Sequence, residues 1–259
     1  MKKLTALIIA AQLFFAWLAF PRLPELMPVH WNFRGQIDSY MPKLQAALMM
    51  PVMSVVMAVL FAVLPNIDPK NDKYRLFARE WQIIQTGFMA FFAWMQFIIF
   101  YVSLNPAAKM MPLMFIGLGA LFILLGNYLS KIRQNYFIGI KIPWTLSSED
   151  NWNKTHRYAS WTFVAAGILT LAESYFIWYA PAVIFGSIML ATVLPVIYSF
   201  LLYKKAAYKM KYVYAALLFV ILAVSLLRLT GPEDTWICSG GTWVRHGSPA
   251  QAAPSTPCR

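Results

Sequence analysis

Charge is what this sequence has least of. Only 12% of its 259 residues are Asp, Glu, Lys or Arg, against roughly 25% in a soluble domain, and that shortfall excludes an ordinary water-soluble globule. Carboxylates are the scarcest, ten against 22 Lys and Arg. The two cysteines are too few for a zinc ribbon, and neither GxGxxG, GxxxxGKS/T nor HExxH occurs. The common dinucleotide, phosphate-loop and zinc-hydrolase fingerprints are therefore missing, and no cofactor or metal is expected. Apolar residues make up 60% of the chain and aromatics 16%, which excludes disorder.

Hydrocarbon offers no partner to a backbone amide, so a spanning segment must be a helix of about 20 apolar residues. Seven stretches qualify: 4–20, 44–64, 83–103, 111–129, 159–179, 182–202 and the shorter 212–227, which Lys211 and Arg228 bracket as snorkelling charges. The first follows Met1-Lys2-Lys3, but Trp17 and Pro21 sit badly around a cleavage site after Ala19, so it reads as an uncleaved anchor. With the N-terminus inside, fifteen of the 22 basic residues fall on the cytoplasmic side, among them Lys70, Lys73, Arg75, Arg79, Lys131, Arg133, Lys154 and Lys204. The positive-inside rule then places the C-terminus outside. The expected fold is an all-α integral membrane protein, a bundle of about seven transmembrane helices. The net charge of +12 follows from basic inner loops facing lipid headgroups, and it requires no direct nucleic-acid partner.

Three blocks follow along the chain. Residues 1–64 form a two-helix domain whose outer loop, 21–43, is dense in proline and therefore extended. Within it Gly35 supplies a turn and Asp38 can bond its own backbone. His30, Trp31 and Asn32 make a candidate outer binding surface together with Gly35, Asp38 and Lys43; the plainer reading puts Trp31 in the interfacial aromatic belt. Residues 65–205 form a four-helix core with an inner loop at 130–158. There Ser147 and Asp150 read as a capping box, and Glu149, Asn153 and His156 share a helix face. Residues 206–259 form a seventh helix and an outer tail. Cys238 and Cys258, 20 residues apart on the oxidising side, are candidates for a disulfide or for two separate thiols.

Glu173 is the only carboxylate inside an expected span, which makes it a functional candidate by default. It also lies six residues from Tyr179, about 9 Å from the outer edge, where Arg22 or Arg34 could satisfy it. Gly117, Gly119 and Gly126 on the fourth span allow close helix approach. Most of the 14 methionines fill core gaps, although a flexible Met-lined groove would accept a hydrophobic peptide.

Gly126-Asn127, Gln134-Asn135, the run Gly139-Ile140-Lys141-Ile142-Pro143-Trp144-Thr145-Leu146, then Trp152 and Arg157 resemble the signature of the SdpI family of bacterial membrane proteins. The outer-loop pattern Pro28-Val29-His30-Trp31-Asn32, Gly35, Asp38 and Lys43 is similar to a short N-terminal domain of unknown function that accompanies it. Lys141 stands where the family usually has Arg, and the seventh helix adds to a six-span family core. The resemblance implies a non-enzymatic immunity and signal-transduction protein of the bacterial plasma membrane. Its outer face would bind a hydrophobic or cationic peptide toxin, and its inner face would hold a transcriptional regulator. Gly126, Asn127, Asn135, Gly139, Lys141, Pro143, Trp144, Thr145, Trp152, His156 and Arg157 would build an inner cap as the base of that partner site. The alternative is a transporter or membrane enzyme centred on Glu173.

Overall fold

A computed structural model describes residues 2–32, 35–176, 180–204, 217–225, 235–246 and 252–258. The chain divides into two compact units, Met1–Tyr203 and Lys204–Arg259.

In the first unit α1 (Lys2–Ala19) passes through a single 3-10 turn into a hairpin of β1 (Leu26–Trp31) and β2 (Ile37–Pro42). Then follow α2 (Lys43–Ile67), a 3-10 segment at Asn71–Phe77, α3 (Ala78–Leu104), α4 (Met110–Leu129), the one-turn α5 (Pro143–Ser147), α6 (Glu149–Phe176) and α7 (Ala180–Tyr203). Successive long helices reverse direction, so the hairpin and the α3–α4 loop share one end of the bundle. Residues 68–77 and 130–148 share the other.

Among the described residues five segments are long and apolar enough to cross a membrane: 3–22, 43–67, 71–104, 110–129 and 182–203. That is two fewer than the sequence led us to expect, for two different reasons. The stretch at 212–227 is described only over 217–225, which is helical but too short to qualify. The stretch at 159–179 belongs to α6, whose composition is too polar to qualify by itself. Asn151, Thr155, His156, Thr162, Thr170 and Glu173 of α6 are all buried, because α6 packs along both α4 and α7. Its polar groups face protein, while Trp161 and Tyr175, 74% and 84% exposed, point outward.

The α4–α6 crossing is close because glycines meet there. A Cβ on Gly119 would lie 2.8 Å from the Gly167 carbonyl oxygen, and one on Gly167 would lie 2.7 Å from that of Gly119. Neither backbone oxygen can yield as a side chain would. Gly119→Val should therefore separate the helices and destabilise the bundle by about 1–3 kcal/mol, read as a lower midpoint of thermal unfolding in detergent.

The expected extended outer loop is extended, and it is also paired. Met27, Val29 and Trp31 turn inward at the period of a strand, with Met27 and Leu23 buried among Ala16, Ala46, Ala47, Ile99 and Phe100. The hairpin thereby closes over one end of α1, α2 and α3.

In the second unit β3 (Thr235–Ser239) and β4 (Thr242–His246) pair antiparallel through Gly240 and Gly241, both at positive φ. A disulfide joins Cys238 to Cys258 across a Cα separation of 5.5 Å, and the Trp243 indole donates to the Thr256 carbonyl at 2.8 Å.

Candidate functional site

At the hairpin end, Asn32 and Gln36 shape the tip. The Gln36 amide donates to Asn32 Oδ1 at 3.0 Å, the Asn32 amide to the Gln36 carbonyl at 2.9 Å and the Gly35 amide to the Asn32 carbonyl at 2.9 Å. Gly35 sits at φ +74°, with the Met111 side chain 2.9 Å from where a Cβ would stand. The turn assigned to Gly35 is thus present and seated on α4. Asp38 departs from expectation: instead of bonding its own backbone it meets His30 Nδ1 across the strands at 2.5 Å. The register shift around His30 brings the two together. Lys43 is a strut more than a free contact, with Nζ 3.5 Å from Glu25 Oε1 and 4.8 Å from the Phe20 ring centroid. Trp31 lies beneath the hairpin against the ends of α3 and α4 and lines a cavity of about 490 Å³.

The opposite end is a closed polar cap. Asn135 is fully buried: its Oδ1 accepts the Phe137 and Ile138 amides at 2.8 Å each, and its Nδ2 donates to the carbonyls of Arg133 and Ile138. Gln134 Nε2 donates to the Thr145 and Leu146 carbonyls at 2.7 and 2.9 Å, and Gln134 Oε1 accepts from Lys70. Thr145 Oγ1 accepts the Ile142 amide at 3.1 Å and lies 2.7 Å from the Ile140 carbonyl, fastening α5. Trp144 on α5 stacks near Phe200 and Tyr203 of α7, with ring centroids 5.4 and 5.9 Å away. Among the described residues its buried Nε1 has no hydrogen-bond partner.

His156 and Trp152 hold the loop from below. The Trp152 indole donates to the Ile132 carbonyl at 2.8 Å, and the two rings stack 4.0 Å apart. His156 Nε2 accepts the Ile140 amide at 3.0 Å, so the ring carries its proton on Nδ1, which donates to the Trp152 carbonyl at 2.8 Å. Both nitrogens are committed to the neutral form, and burial pushes the pKa down from 6.5 to about 4. Unfolded, this histidine takes a proton below about pH 6.5; folded, it does so only near 4. Its contribution to stability is complete above pH 6.5 and is lost as pH falls toward 4. A shift of that size corresponds to roughly 3 kcal/mol. Unfolding midpoints in detergent should fall between pH 7 and pH 4.5, with a shallower fall in His156→Gln.

Several expectations need correction. Asn127 does not join the cap: α4 ends at Leu129, and Asn127 is exposed with its Nδ2 turned back to the Ile123 carbonyl at 2.9 Å. The helix cap is Ser148, whose Oγ accepts the Asn151 amide at 3.2 Å; Ser147 Oγ instead donates to the Trp144 carbonyl, and Asp150 pairs with Lys154. The face shared by Glu149, Asn153 and His156 divides, since Glu149 reaches Lys73 on the surface while His156 is fully buried. Among the described residues no three His, Cys, Asp or Glu side chains are placed to hold a metal. Lys141 and Arg157 lie on the exposed surface, Lys141 Nζ donating to the Phe137 carbonyl at 2.8 Å. Pro143 opens α5 at its first position. Gly126 is buried where a Cβ would lie 2.8 Å from the Val164 amide nitrogen.

One residue central to the cap escaped the sequence reading. Asp68, 2% exposed, accepts the Lys70 amide on Oδ1 at 2.7 Å, and on Oδ2 the Tyr74 hydroxyl at 2.8 Å and the Tyr136 amide at 2.9 Å. Its signal was a carboxylate before a proline at the end of an apolar run. Asn151 was missed as well: it joins α6 to α7, donating to the Ser199 carbonyl at 3.0 Å and accepting the Ser199 hydroxyl at 2.6 Å. Between the two ends, Glu173 is buried on α6 one turn from Thr170, whose hydroxyl lies 3.1 Å from Ser187 Oγ. Arg34, one partner considered for Glu173, lies outside the described residues.

Apolar helices joining a strand-built end to a polar, hydrogen-bonded cap define a multi-pass membrane protein. Residues 131–199, which contain the cap loop, α5, α6 and most of α7, match the SdpI/YfhL protein family, and residues 7–55, which contain the hairpin, match a domain of unknown function, DUF1648. The chain is similar to Immunity protein SdpI from Bacillus subtilis (strain 168), 24% identical over 208 residues that cover 79% of this chain and 98% of that protein. No solved structure matches.

Proposed function

We propose that this chain is a membrane immunity protein that binds or sequesters a peptide toxin at its hairpin end, with the cap end holding a regulator inside the cell. The observation that carries the reading is the alignment with an immunity protein along nearly that protein's whole length. The charge distribution supports the sidedness, because with the N-terminus inside fifteen of the 22 basic residues, those of the cap loops among them, fall on the cytoplasmic side. Binding alone protects by sequestration. A signal to the cap requires in addition that the peptide favour one helix arrangement over another, and α6, running from the cap toward the hairpin end, is the element able to report it.

The test is expression in a sensitive cell challenged with a panel of secreted peptide toxins. Wild type should confer survival against at least one of them; Trp31→Ala should lower it, and Glu173→Gln should retain it. Survival against none, with the protein correctly inserted, overturns the reading. A second reading, a transporter or membrane enzyme centred on Glu173, is favoured by the burial of that carboxylate beside Thr170 and Ser187. Complete loss of activity in an inserted Glu173→Gln variant would select it.

A further inference from the structure

The cavity beneath the hairpin has a chemistry more specific than an apolar groove. Trp31, Ile37, Val102, Met110 and Met111 supply its walls, and among the described residues Lys109 is the one charged side chain lining it. Two methionines let such a wall reshape around different side chains. Lys109 has no ion pair among the described residues. The hairpin carboxylates are otherwise engaged, Asp38 with His30 and Glu25 with Lys43. A cation left without an anion beside an apolar hollow is complementary to a ligand that brings an anion with an apolar group bonded next to it. The end of a peptide has that pairing, a terminal carboxylate on the same carbon as the last side chain. A volume of about 490 Å³ lies within the roughly 300–1,000 Å³ of small-ligand sites, so it suits the end of a chain and not its whole length. A lipid phosphate would meet the charge, but its acyl chains begin several bonds away and belong in the bilayer.

We propose that this cavity captures the C-terminal carboxylate and the final apolar side chain of the peptide, Lys109 pairing with the carboxylate while Trp31, Met110 and Met111 enclose the side chain. This rests on the assignment of the hairpin end as the peptide-binding end. Gly35 contributes by letting the hairpin tip sit directly on Met111, where a side chain would lift it.

The test uses the full chain in phosphatidylcholine nanodiscs, titrated with a dansylated Gly-Gly-Leu-Phe peptide as the free acid and as the C-terminal amide. The free acid should bind at least tenfold more tightly, in line with a charge-assisted hydrogen bond. Lys109→Gln should abolish that preference, and Trp31→Ala should weaken both forms. Equal binding of acid and amide overturns the carboxylate assignment and leaves peptide binding at this end standing. Binding of neither form overturns the assignment and counts against the hairpin end as the receptor. If phosphatidylglycerol added to the disc removes the acid's advantage, Lys109 serves lipid phosphate and the assignment fails.

Discussion

Gly139→Ala is expected to open the cap and to have the largest effect of any single-methyl addition in the chain. Two independent constraints meet at this residue. Its φ is +115°, a conformation that costs an L-residue about 1–3 kcal/mol. The added Cβ would also stand 2.4 Å from His156 Nε2 and 3.0 Å from the Trp152 ring. His156 is fully buried and held at both ring nitrogens, so moving it aside breaks the acceptor for the Ile140 amide and leaves a buried donor unpaired, a further 1–3 kcal/mol or so. The combined loss of about 4 kcal/mol is a large part of an ordinary domain's stability. Near-UV circular dichroism in detergent should show the stacked Trp152–His156 signal lost at temperatures where the wild type is intact, and the variant should fail to protect cells. A Gly139→Ala protein with wild-type unfolding would mean that the loop is not seated on His156.

Asp68→Ala is expected to do nearly as much by subtraction. Removing the carboxylate strands the Lys70 amide, the Tyr136 amide and the Tyr74 hydroxyl. The bond to Tyr136 joins the segment after α2 to the loop after α4, 68 residues apart in sequence, beside the one from Lys70 to Gln134. Orphaning a buried donor costs about 1–3 kcal/mol; with Tyr74 able to turn toward Asn135 Oδ1, 3.4 Å away, the net loss should be about 3–4 kcal/mol. Asp68→Asn keeps one acceptor oxygen for the Tyr74 and Tyr136 donors but turns its NH2 toward the Lys70 amide, so its unfolding midpoint should fall between those of wild type and Asp68→Ala. Limited proteolysis of the 130–148 loop should rise in the same order.

The helices were legible from the sequence because lipid leaves an apolar run one option. Stretches read at 44–64 and 83–103 appear as Lys43–Ile67 and Ala78–Leu104, lengthened where polar ends continue the helix outside hydrocarbon. α6 was harder to place, since its span depends on α4 and α7 covering polar residues that a hydropathy window counts against it. The hairpin's inward period of two at Met27, Val29 and Trp31 was present in the sequence, but prolines at 24 and 28 obscured a pairing that depends on Leu26 meeting Pro42 across a turn. Asp68 was obscured for a related reason: a carboxylate before a proline marks the end of an apolar run, but nothing local to it names Tyr136. Asn127 fell the other way, since a place in a recognisable pattern says nothing about which side of α4 it occupies, and it faces out. Asn135, Gly139, Thr145, Trp152 and His156 do meet in one cap.

Everything proposed for function requires the hairpin to face the medium, where a secreted peptide arrives, and the cap to face the cytoplasm. Single cysteines at Gln36→Cys and Arg133→Cys can be probed with a membrane-impermeant maleimide, because Cys238 and Cys258 are joined to each other and do not react. Gln36→Cys should be labelled in intact cells, and Arg133→Cys only after permeabilisation. Labelling of Arg133→Cys from the medium, with Gln36→Cys protected, would contradict that sidedness.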